Sequence, residues 1–237
     1  MLDVHPPHHA ANSWRDFFIH IATIVIGLLI AVGLEQSVEA IHRHHEREKL
    51  RAALTEETRK IVHDAADADR SEVAGMRWLD PVLTRLSEAA QKHRAVGELP
   101  REPFVDWNIP DNPQFRAAKA SGKLDLLSDE DNAAYGEMDG PIQRLQSNDV
   151  LYLQARQRLR KKMAEYYFGR PTDGVFLTHA TPDELRDYYS AYIDLLNTEL
   201  AVQREARLAL GAGRAILNGE RDMGRIQKSE LEALYPK

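Results

Sequence analysis

The chain has no cysteine, which excludes disulfide frameworks, thiolate nucleophiles and cysteine-ligated zinc together. It leaves the compartment open, because both sides of a bacterial inner membrane hold cysteine-free proteins. Convincing strand alternation is also missing. So are a Gly-x-Ser-x-Gly elbow, a phosphate-binding loop, an HExxH pair and a dinucleotide fingerprint, and without them the sequence carries no enzymatic signature. An excess of positive charge is absent as well: the formal net charge of -6 has the wrong sign for a broad phosphate-binding surface, so nucleic acid is not an expected partner.

What the chain does have is one long apolar run. Phe17 to Leu34 read FFIHIATIVIGLLIAVGL without a formal charge, between Arg15 and Asp16 before it and Glu35 after it. At about 1.5 Å per residue the run covers roughly 27 Å, and Trp14 adds an interfacial ring, so a transmembrane helix is expected over 14–36. A cleaved signal peptide is the competing reading, with Ala31-Val32-Gly33 as its small-residue site. Against it, Glu35 to Ile41 continue in helix-favouring residues with no turn signal, as an anchor running into a stalk would.

The first thirteen residues, with Pro6 and Pro7, lack apolar periodicity and are expected to be a disordered tail, Asn12 or Ser13 capping the helix that follows. Beyond the span, Ile41, Leu50, Leu54, Ile61, Ala65, Met76, Leu79, Leu83 and Leu86 form an apolar stripe spaced mostly by three, four or seven, which predicts one long helix to about Ala90. Pro81 should kink or restart it near Asp80. Val96 to Pro113 hold Pro100, Pro103, Pro110 and Pro113, with Gly97 and with Phe104, Trp107 and Ile109 among them, and read as an ordered loop pinned by its aromatics, with a flexible strap as the alternative.

A short helix from about Gln114 should end at Gly122. Ser128 and its following acids open a second long helix to about Tyr167, with a kink at Gly140-Pro141. After a loop over Phe168 to Thr181, Thr181-Pro182-Asp183-Glu184 combines a hydroxyl cap, a first-turn proline and a glutamate three residues on. The third long helix should bury Leu185, Tyr188, Tyr192, Leu196, Leu200 and Val202 and stop at Gly219, and a last short helix should run from Lys228 to Leu234 before Pro236. The expected fold is therefore all-α: an N-terminal transmembrane helix continuing into a long helix, with an antiparallel, kinked helical bundle over 37–237.

Two segments carry a resemblance. Trp14-Arg15-Asp16-Phe17-Phe18, Gly27 to Ala31 and Glu35, together with Phe115 to Leu124, resemble a widespread family of uncharacterised bacterial single-span membrane proteins. In that family a similar span leads into a charged helix, and a tryptophan often takes the place of Phe115. The resemblance implies topology and architecture only, since the family brings no activity with it.

Within the span, Asp16, His20, Thr23, Gly27, Ala31 and Glu35 recur every three or four residues on one face. Gly27 and Ala31 permit close approach of a second helix, and His20 or Thr23 can hydrogen-bond across it, each contact worth on the order of 1 kcal/mol. The alternative is a lone span whose His20 snorkels to headgroups. Just beyond the membrane, Glu39, His42, His45 and Glu46 share a helix face and could offer imidazoles and carboxylates to a divalent metal, above all across a dimer; a solvated, charge-rich stretch is the plainer reading. His5, His8 and His9 fall on the other side of the bilayer and cannot complete that site.

Arg156, Arg158, Arg160, Lys161 and Lys162 form a basic run suited to a solvated helix face or to acidic headgroups. Tyr166, Tyr167, Tyr188, Tyr189 and Tyr192 are expected to be core and boundary aromatics rather than the wall of a quinone or haem pocket. Arg15 precedes the span, whereas Arg43, Arg47, Lys49 and Arg51 follow it, which by the positive-inside rule keeps the bundle cytoplasmic, with a periplasmic bundle as the alternative. These features point to a membrane-anchored helical interaction or accessory-subunit protein of the bacterial inner membrane, whose partners are the lipid bilayer and another transmembrane helix, with no cofactor required. A membrane-tethered sensor of metal or small ligand is the alternative.

Overall fold

The computed structural model describes residues 14–93, 96, 98–100, 102, 107–166, 175–176 and 181–235. The expected tail over 1–13, the ring of Phe104, Tyr167 with most of the 168–181 loop, and the stop at Pro236 lie outside the described residues. The chain divides into two compact units, Met1–Leu50 and Arg51–Lys237.

Among the described residues there are five α-helices: α1 Trp14–Lys92, α2 Pro113–Ala120, α3 Asp129–Tyr166, α4 Pro182–Leu217 and α5 Met223–Leu234. The fold is all-α, and its only extended pairing among the described residues joins two dipeptides, β1 Glu98–Leu99 and β2 Val175–Phe176, antiparallel. In the first unit the helix exposes its apolar residues all round, from Phe17 to Leu34 and on to Val38 and Ile41. Ile41, expected on the inner stripe, is thus 59% exposed.

Within the second unit three helices share one seam. Leu54, Thr58, Ile61, Ala65, Ala68, Glu72, Gly75, Leu79, Val82, Leu86 and Ala89 of α1 are buried at alternating spacings of four and three, the knobs-into-holes pattern of a left-handed supercoil. The same alternation runs through Tyr135, Met138, Ile142, Leu145, Asp149 and Tyr152 of α3 and through Leu185 to Val202 of α4. Ala68, Leu145 and Ala206 meet in one layer, while Leu79 to Ala89 pack with Tyr152 to Leu159 and with Leu185 to Leu195. It follows that α4 runs antiparallel to α1 and α3, which point the same way.

Parallel neighbours need a return crossover, and the segment between α1 and α2 supplies it. Its course is marked by contacts at successive levels: Trp78 Nε1 donates to the Pro100 carbonyl at 2.7 Å, the Trp107 ring lies 5.5 Å from that of Tyr152, and Asn112 Nδ2 donates to Asp139 Oδ1 at 2.7 Å. Trp107 therefore pins this segment, the strap, against the bundle. At the strap's end, Glu57 of α1 accepts from the amides of Gln114 and Phe115 at 2.6 and 3.1 Å, supplying the cap that Asn112 does not give α2.

The helix boundaries follow local chemistry. Thr181 and Glu184 close a capping box with Pro182 behind them, and Ser128 Oγ accepts from Asp131 N at 3.2 Å. Gly219, at φ 85, ends α4 with Glu220 N bonded to the Ala215 carbonyl and its own amide to Ile216, a Schellman arrangement. α1 passes through Pro81 without restarting, and α3 passes through Pro141. α5 begins at Met223 rather than Lys228, because the Asp222 side chain accepts from Arg225 N and caps it earlier.

Candidate functional site

None of the span residues singled out by spacing is buried within the chain. His20, Thr23, Gly27 and Ala31 all face outward; the Thr23 hydroxyl donates to the Ile19 carbonyl at 2.9 Å, and a Cβ added to Gly27 would meet nothing within 4 Å. The Gly27 face therefore meets no side chain among the described residues. Just beyond the apolar run, Glu39 pairs with Arg43 at 3.2 Å, His42 approaches Glu46 at 3.7 Å, and His45 Nδ1 lies 2.9 Å from the Ile41 carbonyl. Each thus has a neighbour one turn away, and among the described residues no three His, Cys, Asp or Glu side chains are gathered as a metal set.

The basic run on α3 is split by its surroundings. Arg156 is tied to Glu102 of the strap at 2.5 Å and lies over the Tyr152 ring, Lys162 reaches Asp187 at 2.5 Å, and Arg158 and Lys161 remain exposed. Of the tyrosines, Tyr188 donates to the Lys162 carbonyl at 2.9 Å, and Tyr192 is packed 5.8 Å from the Trp78 ring. Tyr189 is exposed, and the side chain of Tyr166 lies outside the described residues.

The strongest chemistry lies at seam positions that the apolar stripe read from the sequence passes over. Midway along the seam, Glu72 of α1 is 1% exposed and Glu199 of α4 is 3% exposed, with Asp149 of α3 also buried. Neither carboxylate oxygen of Glu72 makes a hydrogen bond among the described residues, nor does Oε2 of Glu199. Burying ionised carboxylates without partners is costly enough that they hold their protons instead. Burial first, and then the charges of Glu199 and Asp149, push Glu72 up to about 9; burial and then Glu102 push Glu199 up to about 8. Asp149 is raised by burial alone. Gly75 makes the arrangement possible, since a Cβ there would sit 2.9 Å from Glu199 Oε1.

Two further polar places are structural. At one end of the bundle Asp131 bridges Arg51 at 2.8 Å and Arg221 at 2.5 Å; burial opposes ionisation, but those hydrogen bonds and charges hold its carboxyl below the usual range. On the buried face of α5, burial and then the Glu137 charge push Glu230 up to about 7. A pocket of about 380 Å³ opens between α1, α4 and α5 beside Arg70 and Arg214, but Arg207 in its wall is bonded to Asp69 at 2.7 Å and to the Leu234 carbonyl, which ties the three helices together.

No protein family, curated protein or solved structure matches this chain. Fold and site define its class: among the described residues, an all-α protein with a seam of three long helices that buries the carboxyl side chains of Glu72 and Glu199, and with one helix long and apolar enough, by length and composition, to cross a membrane.

Proposed function

We propose that the chain is a membrane-anchored helical interaction protein, a self-associating or accessory component of the bacterial inner membrane, with its helical domain on the cytoplasmic side. The observation that carries this reading is the apolar window of α1, none of which is buried within the chain. Ile24, Leu28, Leu29 and Leu34 are each more than half exposed, on several faces of the helix. Water is a poor solvent for such a surface and hydrocarbon a good one. The cationic residues following the span support the cytoplasmic side, and the small and polar face through His20, Thr23, Gly27 and Ala31 supports a second helix as partner.

The test is co-purification from mild detergent, comparing the native chain with Gly27→Leu. A partner helix, from a second copy or another protein, is retained by the native chain and depleted in the variant. Equal retention removes the role of this face. Metal analysis of the same preparations separates the sensor alternative: stoichiometric divalent metal that disappears in a His42→Ala, His45→Ala double variant would favour it.

A further inference from the structure

We propose that Glu72 and Glu199, with Asp149 beside them, form a proton-binding latch in the three-helix seam, which holds α1 and α4 together while the carboxyls are protonated and loosens them when the protons leave. Both residues occupy seam positions that their helices otherwise fill with apolar or small side chains: Ala68 and Gly75 flank Glu72, and Leu195 and Val202 flank Glu199. Placing carboxyls there does not stabilise a permanent core, because aliphatic side chains in the same positions would. Gly75 clears the space that lets Glu199 lie against α1.

The groups facing this pair offer little compensation for two negative charges. From α3 come Asp149, Tyr152 and Arg156, from α1 Asp69, and from the strap Glu102. Arg156 is the one cation among them, and Glu102 already holds it. Asp69 is engaged by Arg207 and by Gln203 at 3.1 Å. A proton is the ligand that satisfies such a site, since it removes charge and turns an acceptor-only carboxylate into a donor without needing a cavity.

The direction of the response is fixed by linkage. In the unfolded chain these carboxyls ionise in the ordinary range near 4.5, whereas in the folded domain they stay protonated up to about 8 and 9. The folded state therefore binds more protons between those limits, and its stability is complete below the ordinary range and lost as pH climbs through the raised values.

Amide hydrogen exchange on the full chain in detergent micelles, corrected for intrinsic exchange rates, tests the latch. Between pH 6 and pH 9, protection of the segments around Gly75 and Glu199 falls by about tenfold or more, the change that a unit of pKa linkage gives. The Glu72→Gln, Glu199→Gln double variant keeps its protection across the same interval. Unchanged protection in the native chain, or an equal loss in the variant, overturns the proposal. Infrared spectroscopy reads the protons directly: a protonated-carboxyl band at pH 7 that is reduced in the Glu72→Gln, Glu199→Gln double variant and vanishes from the native chain by pH 10 is expected, and a band at pH 7 no stronger in the native chain than in the variant overturns the proposal equally.

Discussion

Gly75 and Glu199 meet across the α1–α4 seam so closely that a Cβ on the glycine would stand 2.9 Å from Oε1 of the carboxylate. Alanine is the better helix former by about 1 kcal/mol, so the sign of a Gly75→Ala change depends on what Glu199 can do. With Glu199 in place, Gly75→Ala destabilises the domain by about 1–2 kcal/mol, an overpacking cost; in a Glu199→Ala background the same change stabilises it. Urea unfolding of the four chains in a double-mutant cycle reads the sign reversal.

Gly211 is the place where α5 touches α4 backbone to backbone, since an added Cβ would lie 2.6 Å from the Ser229 carbonyl oxygen and 2.7 Å from Glu230 Cα. No flexible side chain can yield there. Gly211→Ala costs about 1–3 kcal/mol, and the loss concentrates in α5, whose amides exchange faster while those of α3 change little.

Glu230 gives α5 its own pH response. Its folded pKa is raised to about 7 from the ordinary 4.5, so its contribution is complete below the ordinary range and declines as pH rises through 7. Melting temperatures measured from pH 5 to pH 8 should fall less steeply for Glu230→Gln than for the native chain.

Asp131 behaves in the opposite sense. Arg221 and Arg51 hold it ionised, so its stabilisation is present above the ordinary aspartate range and lost as pH falls through its lowered value. Asp131→Asn should cost about 2 kcal/mol at pH 7, the scale of hydrogen bonds to a charged partner, and progressively less as pH falls below the ordinary aspartate range, as read by chemical denaturation.

The helices were legible because their punctuation is local. Thr181 with Glu184, Ser128, Gly122 and Gly219 act within a turn of themselves, and the structure uses each at a helix or turn boundary. The strap's course was not legible, because the parallel pairing of α1 with α3 depends on contacts such as Arg51 with Asp131 that lie far apart in the chain. Apolar residues alone misplaced part of the seam. Leu200 is 45% exposed, and the inward positions next to it belong to Leu195 and Glu199. In α1 the stripe stepped from Ala65 to Met76 because Ala68, Glu72 and Gly75 do not read as core. A strict alternation of four and three, followed through polar residues as well, would have delivered Glu72 and Glu199. The long apolar helix was plain from composition, because the run Phe17 to Leu34 carries no charge.

Carbonate extraction of membranes from cells expressing the full chain tests the central claim most directly. The account predicts that the intact protein stays in the membrane pellet after the alkaline wash and leaves it only with detergent. Recovery in the aqueous fraction, or a mature chain beginning after Gly33, would contradict it.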